Sequence, residues 1–294
     1  MPVETEALVD HIVELIRRSS CGLPDDVKEA IARAAEDEEA GSRAQNALRL
    51  VLRNVAEAEQ GSTPTCQDTG TLIFHVEYGP EHRQRPLRGA IEAACREATA
   101  KQYLRPNAVD PVTGKNSGNN IGDGAPFIDF VERDEPGLHI ALLQKGGGCE
   151  NVSGQYSLPN GPLGAGRDLE GVRRVVLDAV HKAQGKGCAP GILGIGLGGD
   201  RMSSHLEAKM QLYRRLDDVN PDPDMAALEA RLLREGNELG IGPMGFGGKT
   251  TLLGVKIGRR HRVPASYFVS IAYMCWASRR AALHIDADGV ASHN

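Results

Sequence analysis

The stretch Asp168–Leu197, DLEGVRRVVLDAVHKAQGKGCAPGILGIGL, decides the class of fold. Asp168 stands where a helix N-cap belongs, and Val172, Val175, Val176, Ala179 and Val180 recur on one face. Gly185 ends that helix. The short apolar run Ile192–Leu197 then reads as a buried strand. A helix feeding directly into a buried strand is an α/β unit, and the rest of the chain repeats the theme. Toward the N-terminus, Leu8, Ile12, Leu15 and Ile16 form one apolar helical face. Pro24-Asp25-Asp26 starts a second helix running toward Ala40, and a third runs from about Ser42 to Glu59. Thr71–Tyr78 alternates like a strand, and Leu87–Tyr103 reads as a helix. Phe127–Val131, His139–Leu143 and Thr250–Ile257 are further strands, with helices at about 203–216 and 224–238. The expected fold is α/β, a single domain over 1–294 of mixed helices and short strands with a helical N-terminal region.

Composition narrows the function. The 294 residues are 40% hydrophobic, enough for a sizeable core, and only 4% aromatic. A formal net charge of −5 argues against binding nucleic acid through overall charge. No apolar run reaches the roughly 18 residues of a membrane span. The acidic, amphipathic start (Met1–Ser20) has no signal-peptide pattern, so a cytoplasmic location is expected. The 35 glycines cluster at Gly146–Gly148, Gly194–Gly199 and Gly240–Gly248, as backbone does where it must turn tightly or approach a neighbour closely. Residues 105–124 form a polar loop longer than most.

Two of these motifs imitate nucleotide sites. Gly194-Ile-Gly196-Leu-Gly198-Gly199 satisfies G-x-G-x-x-G, but its first two glycines fall inside the expected strand rather than after it. Asp217 and Asp218 stand near the position of a ribose-binding acid, on an expected helix. Gly245–Thr250 resembles a phosphate loop, but Pro243 occupies the position of its first glycine.

Cysteine is more informative. Cys21 and Cys95 fit small buried apolar residues. Cys66, Cys149, Cys188 and Cys275 stand in unusual surroundings, Cys275 within Tyr273-Met-Cys-Trp-Ala277, with no C-x-x-C pair for a short zinc motif. Thiolates this far apart imply a site assembled by the fold, suited to iron–sulfur or zinc chemistry.

Taken together, Cys66-Gln-Asp-Thr-Gly-Thr71, Thr113-Gly-Lys-Asn-Ser-Gly118, Lys145-Gly-Gly-Gly148, Cys188-Ala-Pro-Gly191, Gly242-Pro-Met-Gly-Phe-Gly-Gly-Lys-Thr250 and Cys275-Trp-Ala277 resemble the iron–sulfur-dependent class I fumarases and L-tartrate dehydratases, over residues 5–288. The resemblance implies a [4Fe–4S] cluster held by Cys66, Cys188 and Cys275, whose fourth iron has no protein ligand and serves as a Lewis acid. It implies proton transfer by Asp68 and substrate contacts from Gln67, Arg105, the backbone at Gly147 and Gly148, and His261. Cys149 would line the pocket. Read without the resemblance, Asp68 is a turn-forming residue and Arg105 a solvated one. Val263 stands where the family has a substrate-contacting His, which suggests a substrate with a methyl or other apolar group.

Single-chain members of the family are much longer. The resemblance therefore implies an α subunit that needs a smaller β subunit, in an α2β2 enzyme acting on a small dicarboxylate. Fumarate/malate chemistry is the leading expectation. L(+)-tartrate dehydration and hydration of a methyl-substituted fumarate are the alternatives. A nicotinamide-dependent oxidoreductase and a non-catalytic cluster-bearing subunit are the remote ones.

Overall fold

Residues 5–294 are described by the structure, a computed structural model. The chain opens with α1 (Thr5–Cys21), α2 (Asp25–Asp37) and α3 (Arg43–Gly61). Then come β1 (Thr71–Tyr78), α4 (Gln84–Ala100), β2 (Phe127–Glu132), β3 (Leu138–Lys145), α5 (Gly147–Asn151) and β4 (Gly154–Ser157). The remainder is α6 (Leu169–Ala183), β5 (Gly191–Gly198), α7 (Arg201–Met210), α8 (Pro223–Glu238), β6 (Leu252–Arg260), β7 (Phe268–Met274), β8 (Arg279–Ile285) and β9 (Ala291–His293). The architecture is mixed α/β, as the patterning predicts. No helix among the described residues is long and apolar enough to cross a membrane.

Contacts group the chain into two compact units. The first comprises residues up to Pro24, Asn54–Gly146 and Ala277–Asn294. Its sheet has the order β2-β1-β3-β8-β9, with β1 and β2 parallel and the other pairs antiparallel. Alternation along β1 turns Phe74 and Val76 toward α1 and α4, into one core with Ile12, Ile16 and Ile91 of those helices and Ile140 of β3. Cys95 lies in this core, and burial pushes its thiol up to about 12; Cys21, also buried, is pushed up to about 11. Both behave as inert apolar side chains.

The second unit comprises Asp25–Arg53 and Gly147–Trp276. Its sheet order is β4-β7-β5-β6, with β5 and β6 parallel and β7 antiparallel to both β4 and β5. Asp168 caps α6 as expected, accepting from Gly171 N–H at 2.7 Å. On one face of β5, Leu193, Ile195 and Leu197 pack with residues of α6 and α8. On the other face, Gly194 and Gly196 lie directly under α7. A Cβ at Gly194 would overlap the Ala208 carbonyl, and one at Gly196 the Ser204 carbonyl. The dinucleotide look-alike is thus a packing device: helix backbone occupies the space a pyrophosphate would need. Gly196→Val is expected to cost about 3 kcal/mol, because β5 and α7 cannot separate without opening the core. The midpoint of denaturant unfolding measures it.

The outcome differs from expectation in three places. The helix expected over 203–216 stops at Met210, after which a 3₁₀ turn spans Gln211–Tyr213. The buried Lys256 ammonium draws the chain out of the helix by donating to the carbonyls of Leu216 (3.2 Å) and Asp218 (2.9 Å). Asp217 and Asp218 therefore lie in a turn, paired with Arg215 and with Arg214 and Lys256 respectively. The helix expected over 87–103 begins at Gln84 and ends at Ala100, since Gln102 takes a left-handed φ of +63°. The short elements α5 and β4, and the strands β7, β8 and β9 beyond Ile257, have no counterpart in the sequence patterning. The first four residues of the acidic N-terminal stretch lie outside the described residues.

Candidate active site

Strand direction gathers the cysteine motifs of the second unit. Because β7 runs antiparallel to β4 and β5, its C-terminal end lies beside their N-terminal ends: Gly154 pairs with Ile271, and Ile192 with Met274. Cys149 precedes β4, Cys188 precedes β5 and Cys275 follows β7, so all three arrive at one end of the sheet. The Trp276 N–H donates to the Cys188 carbonyl at 3.4 Å. Ser153 Oγ accepts from Tyr273 N–H (3.0 Å) and donates to the Cys149 carbonyl (2.7 Å), tying α5 to β7. None of the six cysteines is in a disulfide.

The parallel partner β6 brings a further motif to the same end. Gly191 pairs with Leu252, and Gly191 N–H donates to the Thr251 carbonyl at 2.9 Å. The glycine-rich stretch before β6 folds back onto the Cys188 segment, where Met244 N–H donates to the Ala189 carbonyl at 2.8 Å. Gly242 has φ +69°, and a Cβ there would overlap the backbone of Gly247. From the far side, the buried Glu38 carboxylate accepts the N–H groups of Lys249 (2.9 Å) and Thr250 (2.8 Å). Replacing Glu38 by Ala takes the acceptor from the Lys249 N–H and from the buried Thr250 N–H. It is expected to cost about 3 kcal/mol and to speed amide exchange at Lys249 and Thr250.

Cys188 is exposed and held at φ +54°, a left-handed conformation that costs a non-glycine residue about 1–3 kcal/mol. The fold keeps it there by packing. Gly187 and Gly191, on either side, lie against the ring of Tyr273; a Cβ at Gly187 would stand 2.5 Å from that ring, and one at Gly191 would overlap it. The Tyr273 hydroxyl is buried and has no hydrogen-bond partner among the described residues. Burial raises its pKa, and the nearby thiols of Cys275, Cys149 and Cys188 raise it further. A strained, exposed cysteine, two others at the same sheet end and an orphaned hydroxyl fit a sulfur-ligated group. Among the described residues no three His, Cys, Asp or Glu side chains converge to hold a single metal ion. Each cluster thiolate binds its own iron, so cluster ligands need not converge in that way.

Cys66, Gln67, Asp68 and Arg105 belong to the first unit. They lie just before β1 and just after α4, and Thr69 joins the two segments. Its hydroxyl accepts from Arg105 N–H at 3.1 Å and faces the Arg105 carbonyl at 3.5 Å. Asn120 fixes the long polar loop to the same carbonyl at 3.0 Å. Gly70, at φ +76°, packs on the backbone of Lys145 and Gly146, where a side chain would stand 2.5 Å from the Lys145 carbonyl. The Cys66 turn thus packs on Lys145 and Gly146, at the end of β3. Asp68 Oδ1 accepts from Gly70 N–H at 3.0 Å, which is the turn-forming geometry. Arg105 is exposed, and Gly147 and Gly148 form the exposed first turn of α5.

His261 is not brought to the Cys188 group. It follows β6, whereas Thr251, beside Gly191, precedes that strand. Nine residues of strand, about 30 Å at ~3.3 Å each, separate the two ends. Val263 shares the His261 loop and is exposed. Sequence reasoning overlooked Glu38 and Tyr273. Nothing in the sequence links Glu38 to Lys249, while Tyr273 lies two residues before Cys275 in a stretch already singled out.

This arrangement defines a thiol- and glycine-rich site at the end of a mixed sheet. The family model described as Fumarate hydratase (Fumerase) matches residues 9–284, and the chain belongs to that family. A putative class I fumarate hydratase of Geobacillus stearothermophilus is 46% identical over 96% of this chain, which spans 55% of that relative's length. A putative L(+)-tartrate dehydratase subunit alpha of Methanocaldococcus jannaschii is 36% identical over 95% of this chain and 98% of its own length. The L(+)-tartrate dehydratase subunit alpha of Escherichia coli is 30% identical over 96% of this chain and 91% of its own.

Proposed function

We propose that residues 1–294 form the α-subunit-type domain of an iron–sulfur hydro-lyase acting on a small 2-hydroxy dicarboxylate of the fumarate/malate type. The observation that carries this reading is the gathering of Cys188, Cys275 and the glycine-rich loop at one sheet end, in a chain of the fumarate hydratase family. Cys66, Cys188 and Cys275 would hold a [4Fe–4S] cluster, which when bound supplies a Lewis acid for a poor hydroxide leaving group. The chain's own groups do the rest. The Arg105 guanidinium, exposed at the Thr69 junction, pairs with a substrate carboxylate, for which its planar fork is suited. The Asp68 carboxylate transfers the proton on the carbon beside a carboxylate. Gln67 contacts substrate, and the N–H groups of Gly147 and Gly148 provide backbone donors.

A smaller β subunit in an α2β2 assembly belongs to the same proposal, in the cytoplasm; the relatives named as alpha subunits support the partner. Those relatives also keep L(+)-tartrate as the second reading, against the higher identity of the fumarase-named one. A methyl-substituted fumarate has only the sequence resemblance at Val263 behind it, because the loop holding Val263 follows β6 at the opposite end from the Cys188 group. The test is turnover of fumarate, mesaconate and L(+)-tartrate by the chain co-purified with its β partner without oxygen. Fastest turnover of fumarate is expected. Preference for tartrate or mesaconate moves the assignment to that substrate, and turnover of none overturns it.

A further inference from the structure

The Tyr273 ring underlies the Cys188 segment from Gly187 to Gly191, with its hydroxyl end on the Gly191 side. Phenylalanine would fill the same space. Yet the chain places a hydroxyl there, buried, without a partner among the described residues and within electrostatic reach of Cys149, Cys188 and Cys275. Leaving such a group unsatisfied destabilises the fold, because its desolvation is not offset by a hydrogen bond. An ordinary phenol is protonated at neutral pH and can donate. The acceptors it lacks in the bare chain are the kind a thiolate- and sulfide-rich group provides at this sheet end.

We propose that Tyr273 donates a hydrogen bond from its hydroxyl to a sulfide of the cluster and thereby raises the cluster's reduction potential. This rests on the cluster assigned under the proposed function. A donor to sulfur favours the more negative, reduced state, so hydrogen bonds to sulfur are among the levers that set such potentials. The ring positions Cys188, and the hydroxyl tunes what Cys188 holds. The two roles separate in Tyr273→Phe, which keeps the ring and drops only an atom that the bare chain leaves unpaired.

The experiment compares wild type and Tyr273→Phe as αβ holoenzymes purified without oxygen, with the cluster titrated reductively and followed by electron paramagnetic resonance. We expect equal iron content and a more negative midpoint in the variant. The oxidised-to-reduced ratio at a fixed potential should rise about tenfold, roughly 59 mV for a one-electron couple. Freed of its cluster, the variant should be at least as stable to heat as wild type, since it loses an unsatisfied group. Equal midpoints with full iron in both proteins overturn the inference and leave the cluster reading standing. A wild-type holoenzyme that holds no iron after anaerobic reconstitution overturns both.

Discussion

Cys188→Ala is expected to lose its iron, its sulfide and all visible absorbance, while wild type purified without oxygen carries about four irons and four sulfides per chain. The fold should barely notice the change. Cys188 is exposed, and its segment is held by the Tyr273 ring against Gly187 and Gly191, by the Trp276 N–H on the Cys188 carbonyl and by the Met244 N–H on the Ala189 carbonyl. A second substitution sharpens the expectation. The left-handed φ of +54° at position 188 suits glycine, which removes a strain of about 1–3 kcal/mol. Cys188→Gly should therefore raise the thermal stability of the cluster-free chain while abolishing iron binding. Stability and cofactor content moving in opposite directions is the mark of a residue kept in an unfavourable conformation for its ligand. Full iron in Cys188→Ala removes Cys188 from the ligand set.

The long helices and the strands β1, β2, β3, β5 and β6 were legible because each carries its own local signal. Asp168 with the valines behind it announces α6, and alternation announces β1. Strands β7 and β8 were not, for different reasons. Phe268–Met274 is buried almost throughout, so no alternation marks it. Arg279–Ile285 carries two arginines and two alanines, which favour helix as readily as strand. Without β7, the arrival of Cys149, Cys188 and Cys275 at one sheet end could not be foreseen, since it is the antiparallel strand between β4 and β5 that aligns their ends. The glycine motifs were visible as motifs, but not for what they do. Gly194 and Gly196 admit α7 to the face of β5, a use that requires knowing the partner helix. Glu38 lay beyond any sequence argument, because its acceptors serve backbone donors more than two hundred residues away.

Asp68→Asn separates the two readings of the most ambiguous residue in the site. The structure gives Asp68 the geometry of an Asx turn, with Oδ1 accepting from Gly70 N–H at 3.0 Å. Asparagine keeps that acceptor and tolerates the same backbone, so the turn, the Gly70 contact with Lys145 and the Thr69 link to Arg105 should persist. What asparagine cannot do is accept and return a proton. If the turn were the whole role of Asp68, the variant would work at nearly the wild-type rate. A positioned proton-transfer group contributes about 10²–10⁴-fold, so under the proposed role kcat is expected to fall by that factor with iron content and thermal stability unchanged. Arg105→Ala supplies the contrast in the same assay. Loss of a carboxylate partner should raise KM, because that interaction is made in the bound ground state as well as at the transition state. A fall in kcat confined to Asp68→Asn, beside a rise in KM from Arg105→Ala, assigns the proton to one residue and the carboxylate to the other. Unchanged kcat in Asp68→Asn returns that residue to its turn.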